Sequence, residues 1–462
     1  MIAVPVKQME RSANIDDVRL PAGFRWGAAV SAYQIEGAVT EGGRGESIWD
    51  RFSATPGNVL NGDTGAVACD SYHRYREDVR LVRELGLDAF RFSIAWPRVL
   101  PDGRGRPNEA GLDFYDRLVD ELLGAGIDPF VTLYHWDLPQ ILEDRGGWPS
   151  RETVDAFAEF VEVVVGRLGD RVRHWITQCE PWVVSWLGYG EGIHAPGRTS
   201  EADALAAAHH VLLSHGRAVD VVRGASPDAE VGITIDLVAF HPHSGSDEDA
   251  AAVARADGAR NRWILDPVLR GAYPEDMLER FAEVLPHVED GDLEAIGAPL
   301  DFLGVNYYTR NIVRADPAGG EPVVVQVEGT EHTGMGWEVY PDGLYELLVR
   351  LRDDYELPPV YVTENGAAFA DHRSNGSVPD PQRASYVERH LRSIARAVED
   401  GVPVRGYFLW SLLDNFEWAL GYSQRFGIVY VDFDTLERVP KSSYRWYRDL
   451  IAAHRRTAGA PG

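Results

Sequence analysis

The sequence has little of what stabilises secreted proteins and no segment typical of a membrane span. Cysteine occurs only twice in 462 residues, as Cys69 and Cys179, so we expect no disulfide framework and a reducing, cytoplasmic location. No apolar run approaches the roughly 18 residues that a transmembrane helix needs. The first residues also lack the apolar segment and the cleavage site of a secretion signal, and we expect no such signal.

Positive charge is scarce as well. The chain has 45 Lys and Arg residues against 72 Asp and Glu residues, which gives a net charge of −27. Because such a surface repels phosphate groups, nucleic acids and anionic membranes are not expected as partners. Hydrophobic residues make up 45% of the chain, which is enough for a folded core and argues against disorder. The 13 tryptophans are an unusual number, compatible with a core, an interface or a platform for sugar rings.

Short apolar runs alternate with amphipathic helical patterns, and this alternation predicts the fold class. The predicted strands are 24–29, 89–94, 128–133, 172–177, 230–235, 301–306, 360–363 and 406–409. The predicted helices are 72–85, 109–123, 151–168, 203–223, 342–353 and 382–399. Eight strands that alternate with helices favour an α/β protein, a single-domain (β/α)8 TIM barrel with extended βα loops, over a doubly wound open sheet. The glycine-rich phosphate-binding motifs of nucleotide-binding folds do not occur.

The barrel domain is assigned to residues 21–450, with an N-terminal extension at 1–20 and a C-terminal tail at 451–462. The glycine- and proline-containing segments 310–323 and 370–381 are interpreted as long βα loops and not as interdomain linkers. Since such loops build the site of a barrel at the C-terminal ends of its strands, we expect the chemistry at that end.

Two glutamates, Glu180 and Glu364, directly follow the fourth and the seventh predicted strands. In a ring of eight these strands lie nearly opposite each other, so their ends can converge on one site. Two convergent carboxyl groups are what glycoside hydrolysis requires. By position alone, a structural role such as pairing with an arginine is equally compatible. The Trp, Gln, His and Asn residues at neighbouring strand ends favour the hydrolytic interpretation, because a neutral polyol needs hydrogen-bond partners and an aromatic face.

Seven motifs, in order along the chain, resemble those of glycoside hydrolase family 1, the retaining β-glycosidases. They lie at 24–37, 91–98, 134–139, 177–181, 306–308, 361–366 and 410–427, so the resemblance covers the chain from Phe24 to Tyr447. The resemblance implies that Glu364 is the nucleophile and Glu180 the acid/base, with carboxyl groups about 5–5.5 Å apart. Arg91 and Tyr308 would keep Glu364 ionised.

The resemblance also implies the residues that bind a small carbohydrate substrate, without a metal or a cofactor. These are Gln34, His135, Trp136, Cys179, Asn306, Tyr308, Trp337, Trp410, Glu417 and Trp418. Trp410 would form the floor beneath the glycone, and Trp337 would lie on the aglycone side. A carboxylate at Glu417 would repel a 6-phosphate, so an unphosphorylated hexose is expected, and the most direct expectation is a β-glucosidase.

One motif departs from the family pattern. Thr-x-Asn-Glu-Pro is usual before the acid/base, whereas this chain has Cys179 at the Asn position. The absent Asn would bind the glycone 2-hydroxyl, and losing a hydrogen bond of about 1.5–3 kcal/mol would slow the reaction about 10- to 150-fold. An ordinary β-glucosidase could compensate. Alternatively, the glycone could be deoxygenated or substituted at its 2-position, or the substrate could be a β-1,2 disaccharide. A third interpretation is a weak hydrolase with a transfer or binding role, or an engineered substitution at residue 179. The alternative that is not an enzyme is a sugar-binding barrel without turnover.

Overall fold

A computed structural model describes residues 18–458 of the chain. Its strands are β1 (Arg25–Ala29), β2 (Ala89–Ser93), β3 (Asp128–Tyr134), β4 (His174–Cys179), β5 (Glu230–Asp236), β6 (Ala239–Pro242), β7 (Phe302–Asn306), β8 (Arg310–Arg314), β9 (Val323–Val325), β10 (Val360–Asn365), β11 (Val404–Trp410), β12 (Val429–Val431) and β13 (Arg438–Pro440). Eight of them form a closed parallel barrel in the order β1-β2-β3-β4-β5-β7-β10-β11. The predicted TIM barrel is therefore confirmed.

Helices follow the barrel strands and cover the outside of the barrel. They are α1 (Ala32–Ile35), α2 (Ile48–Ala54), α3 (Ser71–Leu85), α4 (Trp96–Val99), α5 (Glu109–Gly124), α6 (Gln140–Glu143), α7 (Glu152–Leu168), α8 (Glu201–Ala225), α9 (Asp247–Asp257), α10 (Trp263–Arg270), α11 (Glu275–Arg280), α12 (Asp292–Ile296), α13 (Pro341–Asp354), α14 (Pro381–Glu399) and α15 (Ser442–Ala458). Apolar residues at helical spacing, such as Tyr75, Val79 and Val82 of α3, are buried. No helix of the described part is long and apolar enough to cross a membrane.

The predicted strands agree with the observed ones to within two residues. Differences of two residues occur at β4, β10 and β11; β4, for example, begins at His174 and not at Val172. The backbone N–H of Val172 still donates to the carbonyl of Leu168, the last residue of α7, at 2.9 Å. Val172 is apolar and buried because it completes this helix end, so burial alone does not mark the strand boundary.

The segment 310–323, interpreted as a long βα loop, lies between barrel strand β7 and helix α13, but it contains regular structure, namely β8 and the start of β9. β8 pairs in parallel with β6 and antiparallel with β9, which makes a three-stranded sheet outside the barrel. Ala239 is the register partner of Arg310, a residue distant in sequence, so local patterns could not show the pairing. The segment 370–381, by contrast, is a loop that leads into α14 and contains only a small bridge between Ser374 and Ser377.

A layer of aromatic rings fills the barrel interior. Phe130 lies between Phe408, at a centroid distance of 4.8 Å, and Tyr361, at 5.4 Å, and it also packs near Phe302. Phe302 and Tyr361 stand in the first half of their strands, so this layer closes the N-terminal end of the barrel. The space that remains for a ligand is therefore at the C-terminal ends of the strands.

The ends of the assigned domain fall partly outside the described residues. Residues 1–17 of the predicted N-terminal extension and residues 459–462 of the predicted tail lie outside them. Residue 450, where the sequence analysis ends the barrel domain, lies inside α15, and the buried residues Leu450 and Ile451 of this helix pack in the main core.

Candidate active site

A cavity of about 1010 Å³ opens at the C-terminal ends of the barrel strands. The predicted site residues that line it are His135, Trp136, Glu180, Asn306, Tyr308, Trp337, Glu364, Trp410, Glu417 and Trp418. Gln34, Arg91 and Cys179 do not line it; they are fully buried behind the lining side chains. The cavity thus brings together residues from most of the barrel strands.

Glu364 lies near the end of β10 and holds two strong hydrogen bonds. Its Oε1 accepts from Arg91 Nη1 at 2.5 Å, and its Oε2 accepts from the Tyr308 hydroxyl at 2.5 Å. Burial, together with the Glu364 charge, raises the pKa of Tyr308 well above its usual value, so the phenol keeps the proton that it donates. One donor on each oxygen, one of them a guanidinium, stabilises Glu364 as the anion.

Glu180 follows β4 in a different environment. Its Oε1 accepts one hydrogen bond, from Asn306 Nδ2 at 2.5 Å. Burial, and then the negative charges of Asp236 and Glu364, raise the pKa of Glu180 well above its usual value, although the Asn306 bond acts in the opposite direction. The two carboxyl groups of the cavity therefore differ in their surroundings: Glu364 accepts from a guanidinium and a phenol, whereas Glu180 favours its protonated form.

Cys179 lies behind the cavity lining and contacts Arg91, Glu364 and His135. Its Sγ lies 3.0 Å from Arg91 Nη2, 3.7 Å from Glu364 Oε1 and 3.8 Å from His135 Nε2. The ligand atoms of His135, Cys179 and Glu364 lie within 4.8 Å of one another, a spacing that a metal ion could bridge. Arg91, however, donates to two of these three residues, and its charge would repel a cation there. Burial raises the pKa of the Cys179 thiol well above its usual value, which favours the neutral thiol.

We call one side of the cavity the β11 wall; it consists of His135, Trp410, Glu417 and Trp418. His135 stacks on Trp410 at 5.9 Å and on Trp418 at 6.0 Å, measured between ring centroids. Gln34 Nε2 donates to the carbonyl of Phe416 at 2.9 Å and approaches Glu417 Oε2 at 3.5 Å. Burial and the nearby Glu364 charge raise the pKa of Glu417 to about 8. This wall combines an aromatic surface with a polar edge.

We call the other side the β5 wall; it consists of Trp182, Trp186, Asp236 and Arg260. Trp182 and Trp186 stack at 6.2 Å, and the Arg260 guanidinium lies over the Trp182 ring at 3.5 Å. None of these four residues is among the site residues predicted from the sequence. Asp236 is the last residue of β5, so inspection of this strand end would have found it. Arg260 belongs to a helical turn, Gly258–Arg262, that has no corresponding signal in the sequence.

Three cavity residues have a backbone conformation that side chains other than glycine rarely adopt. The φ angles are +78° at Trp136, +55° at Glu180 and +46° at Trp418. Such conformations cost about 1–3 kcal/mol each and persist where the surrounding structure holds them. The orientation of the Glu180 side chain is therefore maintained at some cost in stability.

The comparisons with known proteins agree with this geometry. The family model described as glycosyl hydrolase family 1 matches residues 17–456. Beta-glucosidase A of Acetivibrio thermocellus is 50% identical over 441 residues, which cover 94% of this chain and 98% of that protein. The bifunctional beta-D-glucosidase/beta-D-fucosidase of Bifidobacterium breve is 48% identical over 461 residues and covers 94% of this chain and 98% of its own length.

A solved structure gives the same result. The beta-glucosidase from Thermotoga maritima in complex with glucoimidazole superposes with a TM-score of 0.93 at 48% sequence identity. The match covers 95% of this chain and 99% of that chain. The ordered motifs, the closed barrel and these matches extend over nearly the whole sequence, and the chain belongs to glycosyl hydrolase family 1.

Proposed function

We propose that this protein is a retaining β-glucosidase that releases a terminal, non-reducing glucose from β-glucosides. The observation that carries the proposal is the opposite environment of two carboxyl groups in one cavity. Glu364 accepts a hydrogen bond on each oxygen, from Arg91 and Tyr308, whereas Glu180 accepts only one from residues 18–458, from an amide. A nucleophilic carboxylate and a protonated general acid are the two groups that the first step of retaining hydrolysis needs.

In the first step Glu364 attacks the anomeric carbon, and the bond from this carbon to the leaving oxygen breaks. Glu180 transfers its proton to the leaving oxygen, so the leaving group departs as a neutral alcohol or sugar. The glucosyl unit is then joined to Glu364 as an ester, and Glu180 remains as a carboxylate. The ester oxygen no longer carries a full charge, which is why a nearby Glu180 anion can now form.

In the second step Glu180 acts as a base. It takes a proton from a water molecule while the water oxygen attacks the anomeric carbon, and the bond to Glu364 breaks. The product is glucose with retained configuration, and both carboxyl groups return to their starting states. Arg91 and Tyr308 stabilise the carboxylate of Glu364 as it is released.

The β11 wall supports a neutral hexose as the glycone. Trp410 and Trp418 offer aromatic surface for the apolar face of a sugar ring, while Glu417, which Gln34 approaches from behind, supplies a polar group at its edge. The names of the relatives support glucose as the sugar, and the Bifidobacterium breve relative also carries fucosidase in its name. The alternative of a glycone altered at its 2-position has no comparable support.

The decisive test uses an aryl β-glucoside and the variant Glu364→Gln. We expect hydrolysis by the unchanged protein with the β-anomer of glucose as the first product, detected by proton NMR before mutarotation. Glu364→Gln should lower kcat/KM by about 10⁴-fold or more, as expected when a nucleophile is removed. Binding of the glucoside without turnover by the unchanged protein would instead indicate a sugar-binding barrel, and the α-anomer as first product would refute the retaining mechanism.

Glu143 provides a matched control for this test. Its carboxylate also accepts from a tyrosine, Tyr189, at 2.6 Å and pairs with an arginine, Arg198, at 2.5 Å. Glu143 does not line the cavity, however. Glu143→Gln should therefore affect stability but keep kcat/KM within a factor of about three.

We also propose a cytoplasmic location, supported by the two cysteines. Both thiols are free and fully buried, and burial raises the pKa of Cys69 far above its usual value. Proteins with unpaired buried thiols and no disulfides are typical of reducing compartments. Fractionation of the native cells, with the aryl-glucosidase activity as marker, tests this proposal; activity confined to the external fraction would refute it.

A further inference from the structure

We propose a positioning role for three buried residues behind the cavity lining: Asn365, Tyr386 and Tyr407. Together they hold the Tyr308 hydroxyl against the carboxylate of Glu364, so that this carboxylate keeps the orientation in which it attacks. None of the three lines the cavity, and their side chains are fully buried. The inference rests on the proposed function, because it concerns the group that attacks in the first step.

Regular strand pairing is interrupted where the nucleophile and its phenol donor meet. Tyr308 lies in the connection between β7 and β8, outside both strands. The register of β10 with β7 shifts between Val362 and Glu364, and its register with β11 shifts between Val362 and Asn365. Hydrogen bonds from side chains must therefore fix the end of β10 relative to the connection that carries the phenol.

The Asn365 side chain joins the two segments. Its Nδ2 donates to the carbonyl of Tyr307 at 2.7 Å, and the backbone N–H of Tyr307 donates to the carbonyl of Glu364 at 3.0 Å. At the other end of the amide, Oδ1 accepts from the Tyr407 hydroxyl at 3.0 Å, and this hydroxyl also lies 3.1 Å from the backbone carbonyl of Asn365. The amide is thus held from β11 and links the end of β10 to the residue that precedes the phenol donor.

The Tyr386 hydroxyl completes the arrangement from helix α14. It accepts from Asn365 Nδ2 at 3.2 Å and donates to the backbone carbonyl of Tyr308 at 2.9 Å. Its ring stacks on His390 at a centroid distance of 3.9 Å, and this contact restricts movement of the ring. Burial raises the pKa of Tyr386 far above its usual value, so the hydroxyl keeps its proton and remains a donor.

These bonds converge on the two residues that place the phenol. Buried carbonyls need partners in any structure, but here the partners of Tyr307 and Tyr308 belong to one hydrogen-bonded group that includes the neighbour of the nucleophile. With both carbonyls fixed, the Tyr308 hydroxyl reaches Glu364 Oε2 at 2.5 Å. Because a displacement of about 1 Å in a reacting group can cost about 100-fold in rate, loosening this group should lower the rate of attack.

The test uses Tyr386→Phe, which removes one oxygen and keeps the ring. The substrate is a dinitrophenyl β-glucoside, because its leaving group needs no proton and kcat/KM then reports the attack by Glu364. We expect kcat/KM to fall about 5- to 10-fold, as for the loss of one hydrogen bond. Since Tyr386 does not line the cavity, the inhibition constant of glucose should stay within about twofold. Asn365→Ala removes two of the bonds and should lower kcat/KM about 30- to 100-fold.

A double-mutant cycle separates positioning from a general structural role. If Tyr386 acts through Tyr308, Tyr386→Phe should cost less than about twofold in a Tyr308→Phe background, where no phenol oxygen is left to position. A merely structural role gives the same loss in both backgrounds. In the single variant, the acidic limb of the pH profile of kcat/KM should also move to higher pH, because the Glu364 anion has a weaker hydrogen bond.

Tyr444 provides the matched control. Its hydroxyl also donates to a backbone carbonyl, that of Leu81, at 2.8 Å, and its side chain is buried outside the cavity. Tyr444→Phe should lower the melting temperature about as much as Tyr386→Phe does, but it should keep kcat/KM within about twofold.

Two results would overturn the positioning role. One is a value of kcat/KM for folded Tyr386→Phe that does not differ from that of the unchanged protein. The other is an equal loss from Tyr386→Phe with and without the Tyr308 hydroxyl. Both results leave the proposed function intact, and if Asn365→Ala fails to fold, the Tyr386 cycle still decides. Failure of the unchanged protein to hydrolyse the glucoside would instead refute the proposed function itself, and with it the positioning role.

Discussion

The two walls of the cavity differ in the charges that they present. On the β11 wall the rings of His135, Trp410 and Trp418 contact one another, and the single carboxyl group, Glu417, has Gln34 beside it and a raised pKa. On the β5 wall Asp236 and Arg260 form an ion pair beside the rings of Trp182 and Trp186. Unpartnered polar atoms occur on both walls among the described residues, for example His135 Nδ1 and Asp236 Oδ1. We expect the β11 wall to contact the glycone and the β5 wall to contact the leaving group.

The largest expected difference between substrates with different leaving groups comes from Glu180→Gln. Because a general acid helps most when the leaving group is a poor one, kcat/KM for a disaccharide should fall about 10³-fold. A dinitrophenyl β-glucoside, whose phenolate leaves without protonation, should lose less than about tenfold in its first step. Steady-state and burst kinetics on both substrates measure this difference. Equal losses on the two substrates would contradict the assignment of Glu180 as the acid.

A variant of the β11 wall should affect all leaving groups alike. Trp410→Ala removes buried aromatic surface worth about 2–3 kcal/mol, so kcat/KM should fall about 100-fold on disaccharide and aryl glucoside together. Trp182→Ala on the β5 wall should instead change the ratio between the two substrates. Trp410→Phe, which keeps a ring, is the control for folding and should recover part of the activity. If Trp410→Ala altered the ratio, the division into two walls would be wrong.

The variant Cys179→Asn should strengthen binding of the glycone next to the β11 wall. An amide at this position adds a donor close to Glu364 and His135, which Sγ approaches at 3.7 and 3.8 Å. If the added bond is worth about 1.5 kcal/mol, kcat/KM should rise about tenfold, equally on all β-glucosides. Cys179→Ser, too short to reach the glycone, serves as the control and should give little gain. Loss of activity on one class of glycoside alone would show that Cys179 selects that glycone.

The last prediction concerns the free energy of unfolding and its dependence on pH. Glu417 has a pKa of about 8 in the folded protein, above its value in an unfolded chain. Between these two values the folded state holds an extra proton, so its contribution to stability falls as pH rises toward 8. Glu417→Gln removes this contribution and should gain about 3–4 kcal/mol on the unchanged protein between pH 5 and pH 8. Chemical unfolding at several pH values measures it; a constant difference between the two proteins would contradict the raised pKa.

The secondary structure of the barrel could be predicted because each strand and helix carries its own local pattern. β10, for example, is an apolar run buried along its whole length, and α3 shows a helical spacing of buried residues. The sheet of β6, β8 and β9 could not be predicted, because its strands are short and pair across a long stretch of chain. The positive φ of Glu180 was equally invisible, since it is imposed by neighbours that come from other strands.

The sequence by itself determined the barrel and the family and proposed the two glutamates as the reacting pair, because these depend on periodicity and on motifs that are continuous in the chain. The composition also showed two cysteines and fewer basic than acidic residues. The structure shows that one of these cysteines, Cys179, contacts Arg91 and Glu364. Only the tertiary structure showed that burial and the nearby charges of Asp236 and Glu364 raise the pKa of Glu180, and it alone brought Asp236 and Arg260 together beside Glu180. The physical reason is that desolvation and charge pairing depend on distances between residues far apart in sequence, which no local pattern encodes.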